Sequence, residues 1–288
     1  MEKTTAQHAS PAPTSANVRH SVIAGSWYPG DPRQLRAMLD GFLGEVPQQP
    51  LQGELLGLIA PHAGYMYSGQ VAAFAYAQLR DRAFTRVVVV SPVHRVYGGR
   101  FAVTDKAYYE TPLGLVAVDD DMVRRVERRV RLNRVSSDME HSLEIQLPFL
   151  QHIQGDFRLT PIMMGDQDWS SITELGQALS EATAGLANGE VLLVASTDLS
   201  HFHPYNVAVQ LDQQVLDRIA AYDPEGLATA LATRKCEACG GGPVAAVMVA
   251  AQQLGANRAV LLKYLNSGDV TGDRSSVVGY ASAALLRT

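Results

Sequence analysis

The apolar run Leu55-Leu56-Gly57-Leu58-Ile59-Ala60 breaks off in Pro61-His62, and a small-residue turn then leads into a helical pattern from Val71 to Leu79. A continuous apolar run of strand length fits a strand buried on both faces, which restricts the chain to sheets covered by helices. Nothing about such a strand calls for an imidazole at its exit. In open α/β sheets, however, ligands bind at the carboxyl ends of the strands. The arrangement recurs in Val87-Val88-Val89-Val90-Ser91-Pro92-Val93-His94, and again in Val191-Leu192-Leu193-Val194-Ala195-Ser196-Thr197-Asp198-Leu199-Ser200-His201. Three apolar strands that each end in histidine or aspartate point to one shared site.

Patterning along the rest of the chain predicts strands at about 54–60, 86–91, 157–164, 190–196 and 259–265. Helical patterns fall at about 32–42, 70–80, 119–131, 140–152, 170–186, 206–221 and 243–254. Such alternation implies crossover units and a largely parallel sheet. The fold expected is a single-domain αβα sandwich with a mostly parallel central sheet. The last segment, Ser276 to Leu285, reads as an extra strand at the sheet edge or centre. Residues 1–17, rich in Ala, Ser, Thr and Pro, read as a disordered tail, and residues 18–288 as one α/β domain.

Several function classes are disfavoured. A net charge of -5 without long runs argues against a nucleic-acid surface, which needs clustered Lys and Arg. The densest basic segment, Arg124 to Arg134, contains Glu127 and reads as a solvated helix face. No apolar run approaches the length needed to cross a bilayer, so no membrane partner is expected. The tail lacks the apolar segment of a secretory signal, and two cysteines in 288 residues make no disulfide framework. A reducing, cytoplasmic setting is expected.

The chemistry-bearing residues gather at the strand ends. His62 and His94 follow their strands directly, and neutral imidazoles suit iron, zinc and copper. Cys239, in Cys239-Gly240-Gly241-Gly242-Pro243, stands just before a helix, where backbone N–H groups favour a thiolate able to bind metal or attack an electrophile. Its C-x-x-C neighbour Cys236 leaves open a redox pair or two small residues packed near a glycine turn. Asp198 and His201 suit proton transfer near neutral pH, although Asp198 and Ser200 would equally serve as caps for the helix near Asn206. His141 and Glu144 share a helix face, as partners of the site or as a local surface pair.

Taken together these segments resemble the Memo family, including the Memo-like member of the AmmeMemoRadiSam gene grouping. The resemblance runs from Ala24-Gly25-Ser26-Trp27-Tyr28 through Ala60-Pro61-His62-Ala63-Gly64-Tyr65, Ser91-Pro92-Val93-His94 and Glu140-His141-Ser142-Leu143-Glu144. It continues through Ser196-Thr197-Asp198 and Cys239-Gly240 to Gly279-Tyr280-Ala281. Phe202-His203-Pro204-Tyr205 and Arg95 depart from what relatives often carry. The resemblance implies a fold similar to class III extradiol dioxygenases, which hold iron(II) with two histidines and a carboxylate. It places metal ligands at His62, His94 and Cys239, with a cysteine where the dioxygenases have a carboxylate, and the dioxygenase catalytic histidine at His201.

The leading expectation is therefore a metal-binding protein, with iron(II) favoured and copper or zinc as alternatives. Asp198, His201 and His141 would supply hydrogen bonds and proton transfer to an unknown small-molecule substrate. A second expectation is a cleft that docks a peptide or a partner protein of the AmmeMemoRadiSam grouping without turnover, using Trp27, Tyr65 and Tyr67. A third is a metal-free thiol enzyme with Cys239 as nucleophile and His201 as base.

Overall fold

The computed structural model describes residues 12–48, 51–94, 99–187 and 189–288. The expected tail lies outside the described residues up to residue 11, as does Arg95; Ser15–Asn17 form a single 3₁₀ turn. The strands are β1 (Val18–Arg19), β2 (Glu54–Ala60), β3 (Arg86–Pro92), β4 (Phe101–Thr104), β5 (Tyr108–Thr111) and β6 (Gly114–Val118). They continue as β7 (Asn133–Val135), β8 (Arg158–Met164), β9 (Val191–Ser196), β10 (His201–His203), β11 (Arg258–Asn266) and β12 (Val277–Arg287). The helices are α1 (Pro32–Gly44), α2 (Tyr65–Tyr76), α3 (Asp120–Glu127), α4 (His141–Glu144) and α5 (Leu147–Gln154). After them come α6 (Trp169–Thr183), α7 (Tyr205–Ala220), α8 (Pro224–Ala232), α9 (Gly241–Gln253) and α10 (Ser267–Thr271).

The apolar strands pair as their composition requires. The path β6-β8-β3-β9-β2 is parallel throughout. Helices α1, α2 and α5 pack on one face of this core, and α3, α6, α8 and α9 on the other. The result is the expected αβα sandwich. In register, β9 lies between β3 and β2, with Val90 opposite Ala195 and Ala60 opposite Ser196. Their three exits therefore open side by side at one edge. Strand β12 is interior, antiparallel to β2 on one side and to β11 on the other.

Differences from the expected elements have local causes. Helix α2 begins at Tyr65, five residues before the expected start, and takes in Ser68 and Gly69. A Cβ at Gly69 would come 2.4 Å from Phe42 Cε2, so this glycine serves helix packing rather than a turn. The single helix expected over 140–152 is two, because Pro148 has no N–H to continue the first helix's hydrogen bonding. Helix α8 adds to the expected elements and carries the usual start signals: Asp223 accepts from Gly226 N, and Pro224 stands in the first turn. The short strands β4 to β7 and β10 carry too little pattern to be read from sequence. The basic segment is a solvated face, with Arg125 on Asp121 (3.2 Å), Arg129 on Glu181 (2.7 Å) and Arg134 on Glu127 (3.0 Å). Among the described residues no helix is long and apolar enough to cross a membrane.

Helices α6 and α9 approach closely at Gly176, where a Cβ would meet Val249 Cγ1 at 2.6 Å and Ala246 O at 3.0 Å. Gly176→Leu is expected to cost about 2 kcal/mol or more by overpacking, a larger effect than the roughly 1 kcal/mol of helix propensity gained. Val249→Ala should recover part of the loss, which denaturant melts of the two single variants and the double variant will show.

Candidate metal centre

At the common exit of β2, β3 and β9, the ligand atoms of His62, His94 and Cys239 all lie within 4.8 Å of one another. His62 is buried and its Nε2 is 3.0 Å from Cys239 Sγ. Ligand bonds of about 2.1 and 2.3 Å meeting at 90–110° would put N and S roughly 3.1–3.6 Å apart, so this pair already stands near a shared coordination distance.

Hydrogen-bond accounting fixes which ring nitrogens face the cluster. Ser196 Oγ donates its one proton to Ser142 O (2.6 Å) and accepts from Gln146 Nε2 (2.8 Å). It must then accept from His62 Nδ1 at 2.9 Å, which leaves the lone pair on Nε2. The same holds at His94. Its Nδ1 and backbone N both lie 2.8 Å from the Glu140 carboxylate, which also takes the Ser142 hydroxyl (2.7 Å). Burial opposes ionisation of Glu140, but the bonds from His94 and Ser142 outweigh it and hold the carboxyl down at about 2. A carboxylate only accepts, so His94 donates from Nδ1 and presents Nε2. Both histidines have the tautomer of a metal ligand.

The cysteine arrives by a different route. Cys239 N donates to Asp198 O (3.2 Å), and Gln167 grips the loop by donating to Cys239 O (2.8 Å) and accepting from Gly242 N (2.7 Å). A Cβ at Gly240 would fall 2.1 Å from Ser196 O, so only glycine lets this backbone lie against the end of β9. The Gly240 N–H at the helix start lowers the thiol pKa but is outweighed. Burial, with Asp198 adding to it, pushes the Cys239 thiol up. The metal-free thiol nucleophile needs the opposite shift, and this argues against it. Cys236 is buried in the core, which fits its packing role.

The remaining expected residues surround the cluster. Asp198 is no helix cap: its Oδ1 accepts from His62 N (2.7 Å), and α7 starts at Tyr205 without a side-chain cap. Burial pushes its carboxyl up to about 7, against the bonds from His62 and Ala63. His201 lines the same cavity, and burial lowers its pKa, so it is neutral at pH 7. Phe202 beside it has φ 63° and sits at a register shift against β12, so that His201 lines the cavity while His203 pairs with Glu237 at 2.9 Å. His141 sits with its ring centroid 4.5 Å from His94 and 4.5 Å from Trp27. Burial, then the neighbouring histidines, keeps His62 neutral.

Glu144 does not join His141. It is fully buried and pairs with Arg19, while also accepting from Ser21 Oγ (2.5 Å), Val22 N (3.0 Å) and Tyr28 OH (2.6 Å). This carboxylate ties the segment carrying Trp27 to the helix carrying His141. Residues not expected from sequence are Ser196, Gln146, Gln167 and the orienting role of Glu140; a Gln146 amid the apolar residues Leu143, Ile145, Leu147 and Leu150 is the available signal. Glu144→Ala is expected to cost about 3–5 kcal/mol in an unfolding titration, since it strips the main counter-charge from buried Arg19.

A family model described as Memo-like protein matches residues 19–284. A MEMO1 family protein of Ignicoccus hospitalis is 40% identical over 278 residues, covering 92% of this chain and 97% of its own. One from Methanothermobacter thermautotrophicus is 36% identical over 274 residues, covering 92% and 99%. The crystal structure of an uncharacterized protein from Escherichia coli K12 shares the fold, with a TM-score of 0.52 at 13% identity, covering 80% of this chain and 99% of that one. The match spans the strand exits, the Glu144 tie and the cysteine loop alike, and the chain belongs to the Memo family.

Proposed function

We propose that the chain is a metal-dependent redox protein of dioxygenase-like fold, in which His62 Nε2, His94 Nε2 and Cys239 Sγ hold iron(II), with copper or zinc as the alternatives. The observation that carries this reading is the pair of locked tautomers. Two histidines at neighbouring strand exits each donate from Nδ1 to a buried acceptor and keep the Nε2 lone pair, and the Nε2 of His62 lies 3.0 Å from the Cys239 sulfur. Charge supports it as well. The Asp198 carboxylate makes the Cys239 thiol costlier to ionise, and a divalent cation held at the site would offset that cost.

When bound, iron supplies a redox-active Lewis-acidic centre with positions left for a small molecule. The protein's own groups do the rest. Ser196 and Glu140 hold the two imidazoles in place. His201, neutral and lining the cavity, is suited to take a proton from a bound molecule or return one. Asp198, titrating near neutrality, fixes the backbone of His62 and serves as a proton store. His141 braces His94 against Trp27. The free thiols suit work in a reducing cytoplasm.

Anaerobic purification followed by metal analysis tests the ligand set. His62→Ala and Cys239→Ser are each expected to lose nearly all bound iron while keeping the wild-type circular-dichroism spectrum; wild-type stoichiometry in either variant sinks the assignment. Glu140→Ala, which frees His94 but removes no ligand, should weaken metal binding by about 10–100-fold in a chelator competition.

A further inference from the structure

The cavity at the cluster holds about 460 Å³, within the range of small-ligand sites and too small for a length of folded polypeptide. Its lining is mixed: His94, His201 and Asp198 share it with the wall residues Trp27, Met66, Tyr67, Val278 and Tyr280, and His201 stands opposite Val278 in the sheet. Three of these wall residues are exposed, Trp27 and Tyr67 by 36% and Met66 by 67%, so large apolar side chains face this space instead of the core. Single exposed apolar side chains are ordinary, but three around one cavity beside a polar cluster are not.

The wall is also built in advance. Trp27 O accepts from Tyr65 N at 2.8 Å, its ring rests on His141, and the Glu144 tie holds the segment from below. Tyr280 is nearly buried on β12 and forms a fixed surface. Rings held in place present flat faces, and flat apolar molecules gain from stacking on them beyond simple area burial.

We infer that the cavity takes a small molecule with a flat apolar body and a single polar head, the head toward His94 and His201 and the body against Trp27, Tyr67 and Tyr280. Trp27 is the residue that selects the body. The orientation of the head rests on the metal-site reading above, whereas the wall does not.

The test uses 2-naphthol as a flat probe and decahydro-2-naphthol as its non-flat counterpart, titrated calorimetrically into the full chain as purified. The expected result is one 2-naphthol per chain, with the saturated alcohol at least about tenfold weaker. Trp27→Ala should weaken 2-naphthol by about tenfold, and Trp27→Phe should restore most of it. Equal affinity for the two alcohols, or equal affinity of wild type and Trp27→Ala for 2-naphthol, overturns the inference. So does tighter binding of a Phe-Ala octapeptide than of 2-naphthol, which would make the cavity a peptide dock. His62→Ala separates the two readings. Naphthol binding that survives in this variant supports the wall whatever its metal content, and its iron stoichiometry alone judges the ligand set.

Discussion

Parallel pairing of β2, β9 and β3 is the constraint from which the rest of the site follows. Because β9 lies between the other two, the chain leaving β2 at Pro61 and the chain leaving β3 at Pro92 are held on either side of Ser196. Histidines 32 positions apart in sequence are thereby brought to ring centroids 5.2 Å apart. The exits then need acceptors for backbone groups that no longer have a strand neighbour. Asp198 takes the His62 N–H and Glu140 takes the His94 N–H, so the carboxylates that complete the sheet edge also define the cluster.

The apolar strands and the long helices were legible because each buries a continuous face, and this fixes a period in the sequence. So were His62, His94, Asp198, His201 and Cys239, since polar residues at the ends of buried strands or before a glycine-rich helix start stand out against their surroundings. What stayed hidden depends on contacts distant in sequence. Nothing near Glu144 announces that it faces Arg19 and Tyr28 rather than His141, because helical spacing gives a shared face but not what lies opposite it. The balance at Cys239 stayed hidden for a related reason: proximity to a helix start is local, whereas burial and the nearby Asp198 are properties of the assembled fold, and burial is the larger effect here.

The two imidazoles show how a hydrogen bond at one ring nitrogen sets the chemistry offered by the other. Ser196 accepts from His62 only because its own proton is committed to Ser142 O, and Glu140 accepts from His94 only because its carboxyl stays ionised while buried. Each imidazole is thus directed by one group whose donor or acceptor state is itself fixed by others. Ser196 thereby sets where the His62 proton sits, while packing alone sets which nitrogen faces Cys239.

The apolar wall and the donor cluster share only the segment from His62 to Tyr67; their other members come from separate stretches of chain. The donors hang from β2, β3 and the loop before α9, while Trp27 sits on the segment stitched down by Glu144 and Met66 and Tyr67 lie in the first turn of α2. A substitution at Trp27 therefore reshapes the cavity without touching the backbone that carries the imidazoles and the thiol.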